Sequence, residues 1–308
     1  MKARYDGVDF SYKSGAQILC GIDLQIEEPG LLCIIGPNGV GKSTMVKCMN
    51  KLLTPTRGSV LLDDRNVKDY SLKELSKTIG FVPASSSDNF SMTVIDTVMM
   101  GRHPHQKVGS EKNDMHIVYQ VLSDLKITHL ALRNYNELSA GQHQKVSIAR
   151  GLAQEPDILI LDEPTANLDV RHQVQVIELL LRLSHERGMT VVMVSHDLNV
   201  AAKYADRIVV MSTPGVIYKI GTPSEVITEE TIRYVYGMES RIIEVEGRPH
   251  VILGDPLTDE AIQELHRDEM ERYREGRSRI CRCRHRCSFR IGAVRRYPIH
   301  RSDPLVCL

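Results

Sequence analysis

The sequence contains no apolar run approaching the roughly eighteen uncharged residues that a membrane-spanning helix needs, so a span of the bilayer is not expected. The opening Met1 to Asp6 lacks the apolar segment of a secretory signal, which points to the cytoplasm. Net charge is also lacking, because 39 basic residues balance 39 acidic ones. A body that worked mainly on duplex DNA would carry a basic surface, so no specific nucleic-acid partner is expected. Seven cysteines are an odd number, and Cys20, Cys33 and Cys48 fall in core-like stretches as small buried hydrophobes rather than a disulfide framework. No internal repeat is apparent. What remains, 42% apolar and 25% charged residues, is the composition of an ordinary globular protein.

Against that background one segment stands out. Gly36-Pro37-Asn38-Gly39-Val40-Gly41-Lys42-Ser43-Thr44 fits the pattern G-x-x-x-x-G-K-[ST], directly after the apolar run Leu31 to Ile35 and before a helix-forming stretch from Ser43 to Lys51. Strand, glycine-rich turn and helix together make a phosphate-binding loop. Glycines at 36, 39 and 41 allow consecutive N–H groups to turn inward around a β-phosphate. Lys42 is expected to bridge the β- and γ-phosphates, Ser43 to ligate Mg²⁺, and Thr44 to lie near the α-phosphate.

Three further short apolar runs, Ile158 to Leu161, Val191 to Val194 and Ile208 to Met211, read as strands buried on both faces of a parallel sheet. Helical spacing from Arg171 to Arg187, ended by Gly188, links two of them as a βαβ crossover. Tyr5 to Tyr12 and Ile22 to Ile26 alternate apolar with polar residues, as half-exposed antiparallel strands do. The stretch at about 88–150 has no comparable strand and reads as an inserted helical subdomain. The expected fold is thus α/β: a P-loop NTPase core of mainly parallel sheet, an N-terminal antiparallel part and a helical insertion, together spanning 1–255.

Three of the four apolar runs stop at chemically loaded residues. Ligands of open α/β sheets bind beyond the carboxyl ends of strands, so Gly36, Asp162-Glu163 and Ser195-His196 should converge. Asp162 suits a metal-holding carboxylate and Glu163 a base for the water attacking a γ-phosphate. His196 is placed for a γ-phosphate contact, although a strand-end histidine can equally be a satisfied polar residue. Ser139, before helical spacing at Val146, Ala149, Leu152 and Ala153, reads by itself as an N-cap.

Taken together, residues 1 to 250 resemble the ATPase subunit of ATP-binding-cassette transporters. Gly36 to Thr44 is similar to that family's Walker A, Leu138-Ser139-Ala140-Gly141-Gln142 to its signature, with Ala140 where glycine is usual, and Ile158 to Glu163 to Walker B. Ala166-Asn167-Leu168-Asp169 resembles the D-loop and Val194 to Asp197 the switch-histidine segment. The resemblance implies ATP and Mg²⁺ as cofactors, with Tyr12 stacking on adenine in preference to Phe10. It implies a homodimer that sandwiches two ATP molecules, so that Ser139 and Gly141, with Gln142 and Asp169 nearby, complete the partner's nucleotide site. It also implies transmembrane permease subunits as partners, a substrate-binding protein acting indirectly, and a peripheral position on the cytoplasmic face of the membrane. Met92 to His105 looks most like importers of iron–siderophore, haem and cobalamin complexes.

Two stretches depart from the pattern. Ile79 to Pro83 resembles the lead-in to the Q-loop, yet Ala84 stands where that family has glutamine, and a methyl group neither ligates Mg²⁺ nor links the site to a permease. Asp88 or Asn89 could substitute if the loop folds differently. The tail at 256–308 carries nine arginines between Arg277 and Arg301 and is expected to be poorly ordered. Cys281, Cys283, His285 and Cys287 offer four soft-metal ligands there, at a spacing unlike the paired cysteines of structural zinc sites. The expected function is ATP hydrolysis that drives an importer permease. The rivals are a non-transport cassette ATPase, which often carries a coiled-coil insertion whose heptads are absent here, and a weakly hydrolysing regulatory module suggested by Ala84.

Overall fold

The computed structural model describes residues 2–13, 15–84, 92–107, 109–165 and 168–274. Its centre is a sheet in the order β10-β9-β3-β8-β7-β6, formed by β3 (Gly30–Ile35), β6 (Ile79–Val82), β7 (Ile158–Asp162), β8 (Thr190–Val194), β9 (Arg207–Ser212) and β10 (Val216–Gly221). All neighbours run parallel except β9 and β10. The apolar runs are continuous because both faces are covered. Leu31, Cys33 and Ile35 enter one core cluster while Leu32 and Ile34 enter another, and Leu159 and Leu161 divide from Ile158 and Ile160 in the same way.

The second cluster lies against an antiparallel sheet of β1 (Ala3–Ser11), β2 (Gln17–Ile26), β4 (Arg57–Leu62) and β5 (Arg65–Asn66), ordered β2-β1-β4-β5. Between the sheets runs α1 (Lys42–Met49), whose Met45, Val46 and Met49 are buried, and α2 (Leu72–Thr78) follows β5.

The insertion is helical, with α3 (Val94–Met99), α4 (Glu111–Asp124) and α5 (Ala140–Leu152). Arg102 ties it to the core. Its guanidinium, 3% exposed, donates to Asp114 at 2.9 Å, to Glu155 at 2.8 Å and to the Ala153 carbonyl at 2.6 Å. Burial pushes the Asp114 carboxyl upward, but the Ser110 hydroxyl and the Arg102 guanidinium outweigh it and hold that carboxyl below its ordinary range.

On the face of the central sheet away from α1 and sharing the first core cluster with the insertion lie α6 (Val170–Glu186), α7 (Leu198–Tyr204), α8 (Pro223–Val226) and α9 (Glu229–Tyr236). A hairpin of β11 (Met238–Val245) and β12 (Arg248–Pro256) follows, then α10 (Asp259–Arg274). For Asp259–Arg274 this corrects the expectation of a poorly ordered tail at 256–308; residues 275–308 lie outside the described residues. Ala261, Ile262 and Leu265 give the first turns of α10 a half-buried stripe, and a Cβ on Gly237 would stand 2.9 Å from Ile262. Cys281, Cys283, His285 and Cys287 lie outside the described residues.

Candidate nucleotide-binding site

β3 delivers the chain into the loop at Gly36, which has φ 151°, and a Cβ there would meet the Met211 carbonyl oxygen at 2.4 Å. Only glycine lets the loop pass so close to β9. Gly41, at φ 105°, closes the turn against Ile18 and Leu19, where a Cβ would fall 2.8 Å from the Leu19 side chain and 2.9 Å from the Ile18 carbonyl. Pro37 is half-buried, whereas Asn38 and Gly39 are exposed on the rim. Lys42 opens α1 and folds back, its ammonium donating to the carbonyls of Gly36 at 2.7 Å and Pro37 at 2.9 Å. Burial lowers its pKa, and the carboxylates of Glu163 and Asp162 work in the opposite sense. Thr44 is buried in the first turn of α1.

Sheet register brings the other strand ends alongside. Val194 pairs with both Ile34 and Asp162, so β3, β7 and β8 finish side by side. The Ser43 hydroxyl donates to the Asp162 carboxylate at 2.9 Å. Burial raises the Asp162 pKa; the Ser43 hydrogen bond and the ammoniums of Lys47 and Lys42 lower it, and Glu163 adds to the rise. Glu163 has φ 51°, a left-handed conformation that costs about 1 kcal/mol or more for a residue with a side chain. The turn is held by its N–H, which donates to the Val194 carbonyl at 3.1 Å. His196 Nδ1 stands 3.8 Å from the Glu163 carboxylate, and both side chains remain partly exposed. Two carboxylates, an imidazole, a hydroxyl and an ammonium therefore gather at the phosphate loop and the strand ends beside it.

Other candidate residues are placed elsewhere. Ser139 caps α5 through a reciprocal box: its hydroxyl accepts from the Gln142 N–H at 3.4 Å, and its own N–H donates to the Gln142 carboxamide at 3.0 Å. A Cβ on Gly141 would lie 3.4 Å from His172, whose ring bonds Asp169 at 2.7 Å, so signature and D-loop ends share a surface at the start of α6. Among the described residues no hydrogen bond joins Ser139, Gly141, Gln142 or Asp169 to the phosphate loop of the same chain. Tyr12 is 44% exposed and meets buried Phe10 edge to face at 4.9 Å, which leaves the tyrosine ring free for stacking. Ala84 is exposed at a bend just beyond β6; Asp88, Asn89, Ala166 and Asn167 lie outside the described residues. Sequence reasoning named Ser195 with His196 at a strand end without giving it a role of its own, and it missed Asn199. Ser195 donates its N–H to the Ile34 carbonyl at 3.0 Å.

A glycine-rich loop between a buried strand and a helix, with an Asp-Glu pair at the end of a parallel strand one removed in the same sheet, defines a P-loop nucleotide triphosphatase. Comparison narrows the class. Residues 19–166 match the ABC transporter domain family. The chain is 44% identical over 247 residues to an uncharacterized ABC transporter ATP-binding protein of Methanocaldococcus jannaschii, covering 80% of this chain and 96% of that one. It is 39% identical over 235 residues to the ferric enterobactin transport ATP-binding protein FepC of Escherichia coli, covering 75% and 86%. Among solved structures it superposes on an inward-facing ABC transporter described as of metal-chelate type, with a TM-score of 0.71, 27% identity and coverage of 82% and 96%. The protein belongs to the ABC transporter family and is its ATP-binding, ATP-hydrolysing subunit.

Proposed function

We propose that the protein is the ATPase of an importer for iron–siderophore, haem or cobalamin complexes, acting at the cytoplasmic face of the membrane as a homodimer on separate permease subunits, with a substrate-binding protein engaged only through the permease. The observation that carries the catalytic part is the convergence of Ser43, Asp162, Glu163 and His196 on the phosphate loop. Similarity to the enterobactin transport protein supports the choice of cargo class. Among the described residues no helix is long and apolar enough to cross a membrane. A groove of about 460 Å³ between α2 and the start of the helical insertion, rimmed by exposed Leu52 and Leu72 and floored by Phe81 and Pro104, offers a permease segment an apolar seat.

Mg²⁺ fits the donor set. Ser43 and Asp162 present two hard oxygens within hydrogen-bond distance of each other beside the loop, as a small divalent cation shared with phosphates requires. When bound, the ion supplies charge neutralisation at the β- and γ-phosphates. Loop N–H groups and Lys42 hold the triphosphate, Tyr12 stacks on its base, and Glu163 orients and deprotonates the attacking water. His196, 3.8 Å from the Glu163 carboxylate, donates to the γ-phosphate. Ser139, Gly141 and Gln142, at the exposed N-terminus of α5, close over the partner's γ-phosphate, with Asp169 beside them.

Glu163→Gln tests the reading, because it keeps the shape and removes the base. ATP binding should persist, hydrolysis should fall at least about a hundredfold, and an ATP-dependent dimer should accumulate on gel filtration. Near wild-type turnover in this variant would sink the assignment.

A further inference from the structure

His196 occupies the turn between β8 and α7, and its position is set from both sides. Upstream, the Ser195 N–H is fixed to β3 through the Ile34 carbonyl at 3.0 Å. Downstream, the Asp197 N–H donates to the Ser195 hydroxyl at 3.1 Å, and the Asp197 carboxylate caps α7 by accepting from the N–H groups of Asn199 at 2.9 Å and Val200 at 3.0 Å. Where α7 rests therefore decides where the imidazole points. At only seven residues, a helix this short has little stability of its own and takes its place from tertiary contacts.

The C-terminal hairpin is the principal neighbour of α7, which also packs on β3, α6 and α8. The Asn199 carboxamide makes a two-bond clamp on β12: it donates to the Val251 carbonyl at 3.1 Å and accepts from the Val251 N–H at 2.7 Å. This is the pattern of a strand pairing, supplied by one side chain. At the other end of α7, Arg248 donates to the Ala205 carbonyl at 2.9 Å, satisfying a terminal acceptor of the helix. Both anchors lie on one strand, and Val251 itself is 4% exposed. Between them Ala201 and Ala202 bury the inner face of α7.

We infer that Asn199 is a positioning residue for the γ-phosphate chemistry, with the 238–256 hairpin acting as the scaffold that holds α7, and through it His196, in register with Glu163. The inference rests on the assignment of His196 made above. It gives the hairpin a role the motifs do not contain, since none of them extends beyond Asp197. A second thread from the same C-terminal region reaches the loop itself: the Tyr236 hydroxyl, at the end of α9, is shut off from water and makes no hydrogen bond of good geometry. Burial first, then the Cys33 sulfur, push its pKa well up, while the Gly36 N–H that faces it acts in the opposite sense.

The experiment uses the full chain with ATP and Mg²⁺, measuring turnover, ATP affinity and thermal midpoint for Asn199→Ala, Asn199→Asp, His196→Ala and the double variant Asn199→Ala/His196→Ala. Asn199→Ala should lower kcat about tenfold, the scale of a misplaced catalytic group, with ATP affinity within about twofold of wild type. Asn199→Asp keeps the acceptor for the Val251 N–H and should fall between the two; it carries the comparison if the alanine variant does not fold. In the His196→Ala background the Asn199→Ala change should cost less than about twofold, because the group it positions is gone. Undiminished loss in that background, or a fall in ATP affinity that matches the fall in kcat, overturns the inference while leaving His196 in place. Wild-type turnover of His196→Ala overturns both.

Discussion

The Ser43 hydroxyl and the Asp162 carboxylate, 119 residues apart in the chain, meet at 2.9 Å where α1 begins and β7 ends. Asp162 is 5% exposed, and burial is the main cause of its raised pKa. A carboxyl whose pKa is higher folded than unfolded binds its proton more tightly in the native state, so stability falls as pH rises from the ordinary carboxylate range through the raised value. Asp162→Asn removes that cost and keeps an oxygen for Ser43. The variant should match wild type at low pH and be the more stable near pH 7, while Mg²⁺-dependent hydrolysis drops about a hundredfold or more. Thermal midpoints across the acid-to-neutral range without nucleotide, beside steady-state ATPase rates, check both halves. A variant less stable than wild type at neutral pH would contradict the burial argument.

Gly36 and Gly39 belong to one loop and have different reasons to be glycine. At Gly36 a Cβ collides with the Met211 backbone at 2.4 Å and φ is 151°, whereas at Gly39, φ 78°, no atom lies within 4 Å of a built Cβ. Gly39→Ala should therefore cost only the left-handed penalty, about 1 to 2 kcal/mol. Gly36→Ala adds a backbone clash, and about 3 to 5 kcal/mol is expected in total. Urea unfolding of the two variants resolves the order, and equal midpoints would show that the loop is not pinned against β9.

The strands that carry the site were legible because burial on both faces leaves continuous apolar runs, and β3, β7, β8 and β9 are all of that kind. β6 was read only as a lead-in, since it has four residues with Gly80 inside. The glycine is there because a Cβ would press on the Gly151 carbonyl and Leu159, both at 3.0 Å. Hairpin β11–β12 alternates weakly and turns at Glu246-Gly247, both at positive φ, a signal easily lost among charged neighbours. Asn199 could not have been found from sequence. Its partner Val251 is 52 residues away, and a helix-borne asparagine carries no mark of a clamp on a distant strand.

The carbonyls of Gly36 and Pro37 fix the Lys42 ammonium in place at the loop. Lys42→Ala leaves the triphosphate charge uncompensated at the cradle, so ATP affinity should fall by about one to two powers of ten, or about 1.4 to 2.8 kcal/mol. Equilibrium titration with a fluorescent ATP analogue at moderate salt measures it. Unchanged affinity would mean that the ammonium does not reach the phosphates.

Ala84 follows β6, on the sheet edge beside β7, and its exposed methyl group stands where the resemblance set out above implies a carboxamide. β6 pairs in parallel with β7 through Val82 and Leu161, so the chain leaves the sheet one residue short of the level of Asp162. A glutamine at 84 starts from the metal-binding end of the strands and has a side chain long enough to extend toward them. Ala84→Gln then offers an oxygen to Mg²⁺ and an N–H to the attacking water. One such contact is worth about 1 to 3 kcal/mol in the transition state, which corresponds to a rate gain of roughly five- to a hundredfold. The gain should be largest with the permease reconstituted, because the same carboxamide would link the nucleotide to that partner. Steady-state ATPase rates of wild type and Ala84→Gln, alone and with permease, make the test. Rates that agree within about twofold in both settings would mean that residue 84 does not face the nucleotide or that Asp88 or Asn89 already fills the role. Alanine at 88 and 89 separates these, since only the second explanation predicts a loss of activity.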